Sequence, residues 1–338
     1  MTDIAHRSVP PGAVKVGAVR AKPGETAHAR LEVPGLEPQH HPYVTLVAGA
    51  APGPVVSVVA GIHGAEVSSI EAARRLCGRL AGRVLRGTVM IVPVANLAAF
   101  FARSLYVNPL DQLNLNRTFP GRPDGTATER LANALVEALV EPADVVFDLH
   151  GGDIVEALDP FMLAEQLPGR GLDARSLLMA DLFGLDQVVA GHVGGSLVAV
   201  ATEMGKASLL AECGQQGVVS EAAVLRLAQG VENVLGALDM LPAPARAPGH
   251  PVFRPSWTWM TSAHTGYWIP DAAVVVGREL AAGARIGQIH SLGLDAPPVD
   301  VVSPHAGRVI FLVTALSTEP GTPLCAVANA AASWPAEP

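Results

Sequence analysis

The chain has almost no cysteine. Cys77, Cys213 and Cys325 are its three thiols, they form no C-x-x-C pair, and their number is odd. That excludes a disulfide framework and suits a reducing, cytoplasmic setting. Lysine is as scarce: Lys15, Lys22 and Lys206 stand against twenty arginines, the 23 basic residues less three. With the richness in Ala, Gly and Val, this bias reads as codon usage, not function. Positive charge is outweighed overall. The formal net charge is −8, which argues against a nucleic-acid surface. No uninterrupted apolar run reaches the roughly 18 residues of a membrane span. The opening "MTDIAHRSVPPGAVKVG" lacks the apolar h-region of a signal peptide. Neither a membrane partner nor a nucleic-acid partner is expected.

What is present is enough for a large core. Hydrophobic residues make up 49% and charged ones 16%. A length of 338 residues favours one large domain plus a smaller one, because single cores rarely grow past about 250–300 residues. Residues 1–42, rich in Pro, Gly and His, read as an N-terminal arm with edge strands. From 43 to 240, apolar strand candidates (Val55–Ala60, Thr88–Val94, Asp144–Leu149, Ser208–Glu212) alternate with helix candidates (Ala65–Leu80, Thr128–Leu139, Asp173–Phe183, Ser196–Met204). Such β/α alternation predicts an α/β sandwich. The stretch 241–255, "LPAPARAPGHPVFRP", reads as a proline-rich linker. Residues 256–330 hold short strands and glycine turns, a small all-β domain. The tail after Val327 is expected to fray, and no internal repeat is present.

Chemistry concentrates at the strand ends. "GIHGAE" closes the first strand and places His63 and Glu66 three residues apart. "DLHGG" closes another and supplies His150, 84 residues after Glu66. Ligands of open α/β sheets bind beyond the carboxyl ends of strands. Two His and one Glu form a known ligand set for catalytic zinc, which leaves one position for water. Taken separately, His63 and Glu66 fit a helix N-terminus with a first-turn acid, and His150 fits a strand-end histidine. Their convergence is what points to a metal. The glycines at 61, 64, 151 and 152 allow close backbone approach. Asn116 and Arg117 sit in a polar loop, "NPLDQLNLNRTFPG". Alone they are a surface loop; a guanidinium there also suits a substrate carboxylate. Glu212 ends the strand of "SLLAECGQQG" and is placed to act as general base on a metal-activated water. Cys213, its neighbour, points to the other face and reads as core packing.

In this order, "GIHGAE", "NLNRTFPG", "DLHGG" and "AECG" resemble the succinylglutamate desuccinylase/aspartoacylase family, related in fold to the zinc carboxypeptidases. The likeness covers roughly residues 40–240 and is looser in the C-terminal β domain. "FPGRPDGTATERLA" is more similar to a bacterial branch that includes N-acetyl-diaminobutyrate deacetylases than to the aspartoacylases proper. The resemblance implies a zinc-carboxypeptidase-like α/β/α sandwich with a mixed central sheet, plus a small barrel-sandwich-like β domain. It implies one zinc per chain held by His63, Glu66 and His150. It implies carboxylate binding by Asn116 and Arg117, with Glu212 as general acid/base. The substrate class it implies is a small N-acyl amino acid, hydrolysed at its amide. Family members often carry an Arg where Leu105 stands, before Tyr106; Arg103 is the candidate replacement for its oxyanion role. Tyr267 is the candidate counterpart of a C-terminal tyrosine of the aspartoacylases.

Rival readings remain open at this stage: a zinc peptidase, an inactive zinc binder, and a serine hydrolase using Ser196. The last lacks a G-x-S-x-G elbow. A lipoyl-like carrier is excluded because no lysine follows Lys206. Homo-oligomerisation is left open.

Overall fold

The computed structural model describes residues 4–5, 7–242 and 250–335. The middle of the expected linker, 243–249, lies outside the described residues. In chain order, β1 (Thr26–Arg30), β2 (Tyr43–Ala48) and β3 (Ala51–Ala60) lead into α1 (Val67–Leu80) and β4 (Arg86–Val92). α2 (Leu97–Ala102) and α3 (Ala127–Leu135) precede β5 (Val145–His150) and β6 (Glu156–Leu158). β7 (Phe161–Leu167), β8 (Gly171–Leu172), α4 (Ala174–Phe183), β9 (Gln187–Gly191) and α5 (Leu197–Glu203) follow. β10 (Ala207–Glu212), α6 (Glu221–Ala237) and β11 (Val252–Arg254) complete the large half.

One mixed sheet runs β1-β2-β4-β3-β5-β10-β7-β9-β11, with β8 beside β7. Its centre, β4-β3-β5-β10, is parallel, and β10 meets β7 antiparallel. Strand periodicity explains the two covered faces. Along β3, Val56, Val58 and Ala60 enter the core that holds Leu76 and Leu80 of α1 and Leu227 of α6. Val55 and Val59 enter the opposite core with Leu131 of α3 and Leu197 of α5. Between them Ser57 turns to the α3 side, where its hydroxyl donates to the Leu139 carbonyl at 2.7 Å. The result is an α/β/α sandwich. The helices begin on side-chain caps: Thr126, Asp173, Ser196 and Ser220 each accept from a backbone N–H of the following first turn.

The C-terminal strands form two small sheets. β12 (Trp257–Thr261), β14 (Glu279–Leu280), β17 (Gly307–Val313) and β19 (Pro323–Asn329) make the first, in the order β12-β19-β17-β14. β13 (Gly266–Pro270), β15 (Arg285–His290), β16 (Val299–Val302) and β18 (Ser317–Thr318) make the second, in the order β16-β15-β13-β18. They enclose a core centred on Trp268, whose Nε1 donates to the Val313 carbonyl at 3.0 Å.

The opening segment supplies β1, an edge strand of the main sheet, and buries Val14, Val16 and Ala21 in the α3 face of the core. One expectation on organisation changes. The tail is held, not frayed. Ala332 N donates to the Phe253 carbonyl at 2.9 Å, and Trp334 stacks on His250 with ring centroids 4.4 Å apart. The two halves also interlock. β6, from the middle of the large half, pairs with β17, and Arg308 Nε donates to Asp159 Oδ2 at 2.7 Å. No helix among the described residues is long and apolar enough to cross a membrane.

Candidate metal centre and active site

β3 ends at Ala60, and the chain turns through Gly61, whose φ is +66°. A side chain there would press on the Val94 Cα at 2.8 Å. That turn delivers His63, and then Glu66 as the residue that opens α1. His150 is the last residue of β5, the strand beside β3. Gly151 follows it, and a Cβ there would meet the Cys213 carbonyl at 2.7 Å. The close approach is thus between the ends of β5 and β10. It holds His150 directly opposite Glu212 in the parallel register.

The three expected ligands converge. One ligand atom from each of His63, Glu66 and His150 lies within 4.8 Å of the others. His63 Nδ1 is 2.6 Å from Glu66 Oε1, and His150 Nδ1 is 2.7 Å from Glu66 Oε2. The far ring nitrogens are engaged on the other side. His63 Nε2 is 3.1 Å from Asn114 Oδ1, and His150 Nε2 is 2.9 Å from Asp148 Oδ1. Asn114 Oδ1 also accepts from Asn116 N at 2.8 Å, so it is the oxygen that faces His63. Both histidines turn Nδ1 toward Glu66, and each holds its Nε2 against a polar partner outside the cluster. This is the arrangement that fixes tautomer and orientation in metal-ligating histidines. Two imidazole nitrogens and a carboxylate are the donor set that zinc takes, so these residues fit the ion.

The electrostatics agree with a cation site. Burial raises the Glu66 pKa, yet His150 and His63 outweigh it and hold the carboxyl at about 2. Burial lowers the His150 pKa, yet Asp148 and Glu66 hold it well above its ordinary value. Glu212 differs. Burial pushes its pKa well up, against the pull of His150 and with support from Glu66, Glu156 and Asp148. Its Oε2 is buried with no hydrogen-bond partner among the described residues.

These groups line one cavity of about 390 Å³. Arg117 lines it too, an exposed side chain at the end of a 3-10 turn over Leu115–Arg117. Asn116 also reaches the cavity, but its amide is spoken for. Oδ1 accepts from Leu197 N at 2.9 Å, and Nδ2 faces Asp148 Oδ2 at 3.3 Å and His150 Nε2 at 3.2 Å. It is thus tied to the Asp148–His150 pair, and Arg117 is the guanidinium that lines the cavity.

Two sequence candidates fall elsewhere. Arg103 caps α2 in the left-handed region, at φ +52°, and is exposed on a separate cavity with Gly64, Phe101 and Ile154. The cap turns it away, so it does not inherit the role of the missing arginine. Tyr267 is fixed in β13 between β15 and β18 and does not line the cavity. The tyrosine that does is Tyr106, hydrogen-bonded to Glu156. Burial and the nearby charge of Glu156 push its phenol pKa up. Burial also raises Glu156, to about 7. Sequence reasoning passed over both, along with Asn114. Tyr106 carried a signal, its place in the motif before Asn108; Glu156 carried none. Cys213 is buried in the core beneath the sheet. Ser196 caps α5 through its hydroxyl and has no nucleophile's setting.

A family model described as the succinylglutamate desuccinylase/aspartoacylase catalytic domain matches residues 52–238. A curated relative from Halomonas elongata, an N-alpha-acetyl-L-2,4-diaminobutyric acid deacetylase, is 29% identical over 247 residues, covering 71% of each chain. The product-bound ectoine utilization protein EutE (DoeB) from Ruegeria pomeroyi is 25% identical, with a TM-score of 0.80 over 96% of this chain and 100% of its own. A succinylglutamate desuccinylase from Silicibacter sp. TM1040 shares the fold at 22% identity, with a TM-score of 0.77 over 96% of this chain and 100% of its own. The matched segment is more than half of the sequence and contains every expected metal ligand, and so the chain belongs to the succinylglutamate desuccinylase/aspartoacylase family.

Proposed function

We propose that the protein is a zinc-dependent deacylase that hydrolyses the amide of a small N-acyl amino acid. One observation carries this reading: His63, Glu66 and His150 converge at one cavity, with Glu212 directly beside His150 on the adjoining strand end. The deacetylase name of the Halomonas elongata relative supports the same reaction class. Zinc held by His63, Glu66 and His150 would supply a Lewis acid and lower the pKa of bound water toward about 7.

The chain's own residues supply the rest. Arg117 orients the substrate through its carboxylate. Glu212 takes a proton from the attacking water on its unpartnered Oε2 and hands it to the departing amine nitrogen. Asp148 and Asn114 keep the His150 and His63 rings in place. Trp257, Trp259 and Phe311 from the small β half close one side of the cavity. That closure favours a single acyl amino acid over a polypeptide, which sets the peptidase reading second. A Glu212 Oε2 that is buried and has no hydrogen-bond partner among the described residues speaks against an inactive zinc binder. The three free cysteines accord with a cytoplasmic setting.

The test is an amine-release screen of zinc-supplemented protein against acetyl-, succinyl- and formyl-amino acids, with elemental analysis of the same sample. About one zinc per chain and release from at least one class are expected. A metal-free protein, or release only from peptides, would reject the reading.

A further inference from the structure

The cavity changes character across the sheet. On β5 and β10 it presents His150 and Glu212. On the next strand, β7, the residue opposite Glu212 is Phe161, and Leu163 lies opposite Leu210. Directly opposed residues share a face of the sheet, so the charged centre passes at once into an apolar wall. The small β half extends that wall. Trp257 lies 6.1 Å from Phe161 and 5.2 Å from Trp259, and Trp259 lies 4.5 Å from Phe311, ring centre to ring centre. Among the described residues no Lys or Arg lines the cavity on this side; Glu156, on β6 beside Phe311, is its one charged group and Thr261 a further polar residue. Few aromatics are available, with 4% Phe, Trp and Tyr in the chain; four of them are spent here. The volume, about 390 Å³, falls among pockets that enclose drug-sized molecules, roughly 300–1,000 Å³.

We infer that the substrate carries an apolar group of leucine to phenylalanine size or larger, seated against Trp257, Trp259 and Phe311. This rests on the deacylase reading above and specifies its substrate class. A succinyl carboxylate on this wall would lose its hydration with no cation to receive it. An aromatic or branched aliphatic group is stabilised there by the water it sheds. The same wall serves an apolar acyl group or an apolar amino-acid side chain, according to which way the amide lies over the zinc ligands.

The experiment compares kcat/KM of zinc-loaded full-length protein on five compounds: N-acetylphenylalanine, N-phenylacetylglycine, N-acetylglycine, N-succinylglutamate and N-acetyl-diaminobutyrate. At least one of the first two should exceed N-acetylglycine by about tenfold or more. The better of the two identifies the side that meets the wall. Trp259→Ala, at a side chain 39% exposed, should cut that preference by about tenfold. Thr261→Phe, which adds bulk at an exposed position, should reduce it too. Faster turnover of the acidic or the cationic compound than of both apolar ones would overturn the inference. So would a preference unmoved by Trp259→Ala. Calorimetric affinities for the same compounds separate the two readings. If nothing is hydrolysed, the deacylase reading fails, while tighter binding of an apolar compound that Trp259→Ala weakens still upholds the wall. Equal affinities for N-acetylglycine and both apolar compounds would overturn it.

Discussion

In the proposed function Arg117 meets the substrate carboxylate, the neighbouring Asn116 having both ends of its amide engaged. A bidentate charge-assisted pair contributes roughly 1.5–3 kcal/mol per hydrogen bond. Arg117→Ala should therefore cut kcat/KM on N-acyl amino acids by orders of magnitude. Arg117→Lys should still impair the enzyme, since it keeps the charge and loses the fork. On substrates with the carboxylate amidated, Arg117→Ala should cost far less, because the partner is already gone. Kinetics of both proteins on both substrate forms give the coupling between mutation and amidation. A coupling near zero would make Arg117 a structural loop residue. At this scale the sequence was partly legible. Residue types and spacings pointed to His63, Glu66, His150 and Glu212, and the structure brings those four to one place. Side-chain direction was not legible. The left-handed cap at Arg103 and the placement of Tyr267 in β13 are settled by backbone geometry that no spacing encodes.

Elements were easier to read than directions. β3 and β5 announce themselves as apolar runs because both of their faces are covered. β7 and β9 did not stand out: Glu165 and Gln187 interrupt their apolar pattern, yet both are buried. Glu165 meets His192 Nδ1 at 2.5 Å, and Gln187 accepts from Arg254 Nε at 2.9 Å. β6 was invisible for another reason. It is three residues long and is defined by pairing with β17, far away in sequence. Its first residue, Glu156, carries a pH prediction. The pKa rises from 4.5 to about 7 on folding, so the folded state binds the extra proton. Stability should then fall as pH rises through that interval and level off above it. The change attributable to Glu156 is at most about 3.4 kcal/mol, 2.5 pH units at 1.36 kcal/mol each. Glu66, held at about 2, acts with the opposite sign but at lower pH. Glu156→Gln cannot ionise, so it should be more stable than wild type at pH 8 and close to it at pH 4. Urea denaturation of both proteins at the two pH values checks this, and equal differences at both would remove Glu156 from the account.

For the whole molecule, the break into a large α/β half and a small β half was legible from the change in pattern after 240. Their interlocking was not. The strand β6, the Asp159–Arg308 pair and the shared aromatic wall all depend on contacts between distant segments. The cavity exists because the halves meet. One brings His63, Glu66, His150, Glu212 and Arg117; the other brings Trp257, Trp259 and Phe311. The central claim is that this cavity performs amide hydrolysis with Glu212 moving the proton. Glu212→Gln tests it most directly, being near-isosteric and unable to accept that proton. The measurement is kcat for amine release by wild type and Glu212→Gln, matched in zinc content, on the best N-acyl amino acid. Zinc content should be unchanged and kcat reduced by at least about 10²-fold, the scale of general acid/base catalysis. A reduction within tenfold at equal zinc content would contradict the claim.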